Sequence, residues 1–168
     1  MRGEEAEKGI VEHFAGRLRP ATLPTGAQTV GETKKFLEKH GLPATGPLLL
    51  RFRSGALKVR DTPRGRVVVV GDDTGTDLAL EEASGALVSI DEATGERVRF
   101  VNSGLIAFLD FLRRYEERLP LLKQASDEEG AAIARELRGM FSAIDPAAVE
   151  DEDAWWSLVL EQTEQGLL

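Results

Sequence analysis

The chain has 168 residues, 42% hydrophobic and 30% charged, enough for one sizeable core, short for two domains and too apolar for global disorder. It has no cysteine, which excludes disulfides, thiol catalysis and thiolate metal sites. It also lacks an apolar run near the roughly 18 residues of a membrane span, and its polar, acidic start MRGEEAEKGIVEHF argues against a signal peptide, so a cytoplasmic location is expected. The net charge of −8 is uneven: residues 1–84 carry 13 basic and 12 acidic side chains, residues 85–168 carry 8 and 17, and a −9 half disfavours nucleic acid while suiting a basic protein partner.

In chain order, residues 6–15 suggest a short helix carrying Ile10, Val11 and Phe14, and LRPATLPTG (Leu18–Gly26) reads as a linker. We expect residues 1–28 to form an N-terminal helix and linker, followed by a single domain over 29–168. TVGETKKFLEKHGLP predicts a helix with Thr29 and Glu32 at capping-box spacing, Phe36 and Leu37 on its apolar stripe, and Gly41 as a left-handed C-cap. PLLLRFR alternates as a strand, with Leu48, Leu50 and Phe52 on one face and Leu49, Arg51 and Arg53 on the other. RVVVV is β-branched throughout and reads as a central strand covered on both faces.

Residues 71–100 then repeat in tens: GDDTGTDLAL, EEASGALVSI, DEATGERVRF. Gly75, Gly85 and Gly95 share one column, each preceded by Thr or Ser, as a type I turn followed by a glycine bulge requires. The alternation between the turns predicts an antiparallel meander with Leu78, Leu80, Val88, Ile90, Val98 and Phe100 inward, and Ser89, Arg97 and Arg99 turned towards water or a partner. NSGLIAFLDFLRRYEERLP predicts a helix capped by Asn102 or Ser103 and closed by Pro120. Ser126 and Glu129 form a second capping box, opening a helix that buries Ile133, Leu137, Met140 and Phe141. After a turn at Asp145-Pro146 comes a last helix, with Trp155/Val159 and Trp156/Leu160 as i, i+4 pairs and Gly166 at its end. The order implies an α+β fold: an antiparallel-rich central sheet of about five or six strands flanked by helices, with a helical C-terminal third.

The stretch VVVVGDDTGTDLAL holds the residues that look most like chemistry. Counted from Asp72, glycine falls at the fourth position rather than the sixth, and Ala83 stands where an EF-hand needs its bidentate glutamate. Asp72, Asp73 and Asp77 are therefore read as turn and edge residues, which leaves a carboxylate-based hydrolase as the sharper and less supported alternative. His13 and His40 lack any ligand or general-base companion pattern and read as surface or capping residues. The seven serines include no nucleophile motif, and no phosphate-cradling glycine loop occurs. No catalytic, cofactor or metal site is expected. The candidate partner-binding residues are Asp72, Asp73, Asp77, Arg97, Arg99, the acidic run Glu150, Asp151, Glu152 and Asp153, and Trp155. Gly41, Gly75, Gly85, Gly95, Asn102 and Trp156 are expected to define the fold.

KKFLEKHGLP, VVVVGDDTGTDLALEEASGALVSID, VNSGLIAFLDFLRRY and IDPAAVEDEDAWWSLVLEQTEQGL, in this order, resemble the SUKH superfamily of bacterial toxin-immunity proteins, in particular its fourth subgroup. The resemblance covers residues 29–167. It implies an α+β fold and a non-enzymatic protein that binds a cognate polymorphic toxin, of nuclease or deaminase type, in the producing cell. Gly71, Gly75, Leu80 and Gly85 match its strand-turn motif, Asn102 and Ser103 its helix entry, and Trp156 its terminal helix, all as fold-defining positions. The expected partner is a basic toxin domain encoded nearby, with neither nucleic acid nor membrane bound directly. The superfamily also contains adaptor-like members, so a general interaction module without a toxin is the alternative.

Overall fold

The structure, a computed structural model, describes residues 2–29 and 31–168 and places the valine run Val67–Val70 inside a six-stranded antiparallel sheet, one strand in from its edge. The chain opens with helix α1 (Arg2–His13), strands β1 (Leu18–Arg19) and β2 (Ala21–Thr22), and helix α2 (Gly31–His40). Short strands β3 (Leu42–Pro43), β4 (Arg51–Phe52) and β5 (Gly55–Ala56) lead into β6 (Lys58–Thr62), β7 (Gly65–Asp72), β8 (Asp77–Glu81), β9 (Leu87–Ile90) and β10 (Arg97–Asn102). Helices α3 (Leu105–Leu122), α4 (Asp127–Ile144), α5 (Ala147–Glu150) and α6 (Trp155–Glu164) complete it. The sheet runs β10-β9-β8-β7, and beyond β7 two short strands share one edge, β6 along its first half and β4 at its end. The expected α+β fold with a helical C-terminal third is present.

Each sheet face has its own apolar cluster. Val68, Val70, Leu78, Leu80 and Leu87 pack with the helices in the main core, while Val67, Ala79, Val88 and Ile90 form a smaller cluster to which no helix residue contributes. The meander therefore does not keep one inward face as the alternation suggested. Leu80 pairs with Leu87 and Ala79 with Val88, so Val88 and Ile90 face away from the helices and Ser89, paired with Leu78, is buried on the helical side. Register shifts in β10 add a second reversal. Arg97 pairs with Ile90 on the outer face and Arg99 with Ser89 on the helical face, although they are two residues apart; Val98 is 47% exposed.

The turns also differ from a strict repeat. Gly85 and Gly95 have φ of 76° and 73°, and their N–H groups donate to Glu81 O and Asp91 O, both at 2.8 Å. In the first turn the left-handed residue is Thr74 (φ 73°) rather than Gly75, because Asp73 Oδ1 accepts from the Gly75 and Thr76 N–H groups at 3.0 and 2.7 Å and sets a different loop. PLLLRFR is a strand only at Arg51–Phe52, with Leu50 and Phe52 buried as expected. Leu48 and Leu49 form a left-handed turn with φ of 62° and 61°, a conformation that costs a leucine about 1–2 kcal/mol.

The segment read as a linker is tied down by backbone pairing, β1 antiparallel to β3 and β2 parallel to β5. Helix α1 packs on α3 and places Ile10 and Phe14 in the main core. Both histidines are part-buried contacts between helices rather than surface residues. His40 Nε2 lies 2.8 Å from Glu7 Oε1, and His13 Nε2 lies 3.3 Å from Glu116 Oε1. The hydrogen bonds from His40 and Lys39 hold the Glu7 carboxyl below its ordinary range. Thr29 Oγ1 is buried with no partner among the described residues, so the capping box expected with Glu32 is not made; Val30 lies outside the described residues. The Ser126–Glu129 capping box is made in both directions, at 2.9 and 3.2 Å. Pro120 lies inside α3, which continues to Leu122; in the last turn its missing N–H removes only one helical bond.

A buried polar network joins the C-terminal helices to the sheet. Asp145 Oδ2 accepts from Asn102 Nδ2 at 3.0 Å and Ser103 N at 2.8 Å, and Oδ1 accepts from Ser103 Oγ at 2.8 Å. Asn102 Oδ1 accepts from Trp156 Nε1 at 2.8 Å. Asn102 and Ser103 are thus committed to Asp145, and the N-cap of α3 is Gly104, with no side-chain cap bond. Replacing Asn102 by Leu leaves the Trp156 N–H without its acceptor and strips a donor from Asp145; urea denaturation should show a loss of about 3 kcal/mol. Gly41, at φ 77°, places an added Cβ 2.0 Å from Arg19 O, whereas Gly26, at φ 80°, has no atom of the described residues within 4 Å of one. Gly41→Ala should therefore cost about 3 kcal/mol and Gly26→Ala about 1 kcal/mol, and equal losses in denaturant titrations would contradict the close approach.

Candidate protein-interaction site

Of the three aspartates of the β7–β8 turn, Asp72 and Asp77 share Arg53, while Asp73 is held by Trp155. Asp72, at the end of β7, accepts from Arg51 Nη2 at 3.0 Å and Arg53 Nη1 at 2.7 Å. Burial pushes its carboxyl up, but the hydrogen bonds from Arg53, Arg51 and the Thr74 N–H outweigh burial and leave it below the usual range. Asp73 is also pushed up by burial and brought below that range by its donors, chiefly Trp155, whose indole Nε1 donates to Oδ2 at 3.0 Å. Asp77 meets Arg53 and Arg60 only at 3.6 and 3.8 Å, and burial leaves it above the ordinary carboxylate value.

Two neighbouring depressions result. The first, about 430 Å³, is polar: Arg51, Arg53, Asp72, Asp77 and Glu92 line it, and its charges largely neutralise one another. The second, about 280 Å³, lies between the Leu48–Leu49 turn, the start of β10 and helix α6; Leu49, Asp73, Val98, Arg99, Trp155 and Leu158 line it. Trp155 is only 8% exposed and belongs to the main core, so it forms the floor. Arg99 Nη1 donates to Asp153 O at 2.9 Å, which brings the exposed run Glu150–Asp153 to one end of this groove. Of the residues singled out from the sequence, Asp73, Arg99, Trp155 and the acidic run are therefore gathered on one side. Asp72 and Asp77 line the adjoining polar depression, and Arg97 lies on the opposite sheet face, its guanidinium carbon 5.7 Å from the centre of the Phe100 ring.

Sequence reasoning missed the groove's apolar walls, Leu49, Val98 and Leu158. One signal existed: the strand alternation put Leu49 on the same face as Arg51 and Arg53, an apolar residue on a polar face. Among the described residues, no group of three or more histidines, aspartates or glutamates has a metal-holding arrangement, and no helix is long and apolar enough to cross a membrane.

A family model described as SUKH-4 immunity protein matches residues 6–162, from within α1 to within α6. The chain belongs to the SUKH-4 immunity protein family. No curated protein and no solved structure matches it. The SUKH-4 match thus takes in the strand-turn motif, the Asn102–Ser103 helix entry and Trp156 together with α1.

The electrostatics of this SUKH-4 protein make opposite predictions for Asp72 and Asp77. An acid held below its unfolded value stabilises the fold at neutral pH, and that contribution vanishes as pH falls through the depressed value; an acid held above it has the reverse effect. Asp72→Asn should lower Tm at pH 7 and flatten the loss of stability below about pH 4, whereas Asp77→Asn should not lower Tm at pH 7. Thermal melts between neutral and acid pH check both.

Proposed function

We propose that this protein is a non-enzymatic immunity protein that binds a cognate toxin domain and neutralises it inside the cell that makes both. The family match over residues 6–162 is the observation that carries this reading. Neutralisation by binding requires a surface that covers the toxin's working site, and no chemistry from the immunity protein itself. A nuclease or deaminase domain must attract a polyanionic substrate and so presents a basic surface. The −9 half of this chain, with Glu150–Asp153 exposed on it, supplies the complementary potential.

An immunity protein is expected to have its toxin domain encoded beside its gene, and co-expression with that domain tests the proposal. The expected results are restored growth of cells carrying the active toxin and a stoichiometric complex of the purified proteins. Association should slow as salt is raised from 50 to 500 mM, as steered encounter requires. Failure to restore growth together with failure to form a complex would reject the immunity role. Capture of a partner that is not a toxin would favour the interaction-module alternative.

A further inference from the structure

We infer that the groove between the Leu48–Leu49 turn, β10 and α6 is the toxin-docking surface, and that it takes a segment combining an apolar side chain with flanking Lys or Arg. This rests on the immunity reading above and names the surface that performs it.

Two successive non-glycine residues in the left-handed region are uncommon, and such positions are ordinarily given to glycine or asparagine. Leu48 gains contact with the main core in return, but Leu49 does not, since its side chain is 76% exposed. The strained turn is held from outside as well. Thr74, itself left-handed, donates its hydroxyl to Leu49 O at 3.2 Å, and the adjacent Asp73 is fixed by Trp155. Strain maintained by its surroundings with no internal packing in return marks a side chain presented outward.

Single exposed apolar residues are ordinary, but Leu49, Val98 (47% exposed) and Leu168 (59% exposed) line the same groove, above a tryptophan floor whose N–H is already satisfied. An apolar anchor entering there meets the Trp155 ring without stranding its N–H, as a well-packed interface anchor requires.

Charge selects the occupant. Asp73 lies in the groove and the exposed Glu150–Asp153 run adjoins its end, while Arg99, the cation lining it, has one guanidinium nitrogen occupied by the Asp153 carbonyl. A purely apolar segment leaves that acidic end unused and an acidic one is repelled. A basic segment with an apolar anchor satisfies both parts.

The test is binding of the full-length protein to the purified, catalytically inactivated toxin domain encoded beside its gene, by surface plasmon resonance with parallel thermal melts. Leu49→Asp and Val98→Asp should each weaken Kd at least tenfold, mainly through faster dissociation. Reversing all four charges of Glu150–Asp153 to Lys should slow association at least tenfold at low salt. Leu49→Gly is the decisive variant: glycine relieves the left-handed strain, so Tm should hold or rise while affinity falls. Lys58→Glu with Arg64→Glu, exposed on and beside β6, should change Kd less than twofold. No binding by the unaltered protein would overturn the immunity reading and this surface together. Binding that Leu49→Asp, Val98→Asp and Leu49→Gly all leave intact would overturn the groove alone.

Discussion

The buried carboxylate of Asp145 is the constraint on which the rest of the arrangement depends. A buried carboxyl group is stable only if its oxygens are hydrogen-bonded, and here three donors from Asn102 and Ser103 supply those bonds. Those donors lie where the sheet ends and α3 begins, and Asp145 lies where α4 ends. One carboxylate therefore fixes the sheet, α3 and α4 with respect to one another. Asn102 extends the arrangement to α6, because donating its amide nitrogen to Asp145 leaves its carbonyl oxygen for the Trp156 N–H. The position of α6 then determines where Trp155 meets Asp73 and where the acidic run emerges.

The two faces of the sheet divide the labour of the molecule. The helical face carries the main core and, at its edge, the groove and the acidic run. The outer face is finished by cationic side chains: Arg60 donates to Glu92 O and Ala93 O at 2.7 and 3.2 Å, and Arg97 lies by Phe100. Arg60 pairs with Val67 and Arg97 with Ile90, beside the buried cluster Val67, Ala79, Val88 and Ile90, and long arginine stems can cover apolar surface while their heads remain in water. The bulges in β10 make this division possible, since they send Arg97 to one face and Arg99 to the other.

Local chemistry was readable in the sequence wherever a few neighbouring residues decide the outcome. The Ser126–Glu129 box, the left-handed Gly41, the Gly85 and Gly95 turns and the apolar stripes of α3 and α4 are all of this kind. What could not be read depends on distant partners or on one-residue register changes. Asp145 looked like an ordinary turn residue because its partners lie 42 and 43 positions away, and the Asp73–Trp155 bond spans 82. The alternation rule failed in β10 because a bulge reverses which side a residue faces without altering composition. PLLLRFR read as a strand because leucine does not advertise a left-handed turn. For the candidate site, the charged residues and Trp155 were visible as types, but their gathering around Leu49 and Val98 was not.

The glycine turns of the meander also bear on how the chain is drawn together. Strands β7, β8, β9 and β10 each pair with the next along the sequence, so every hairpin closes only a few residues of loop, and the entropy surrendered in closing it is small. The contacts that position α6 close loops of tens of residues and give up correspondingly more. The part of the molecule that is easiest to assemble is thus the sheet, and the side that carries the groove is built upon it through its most non-local bonds.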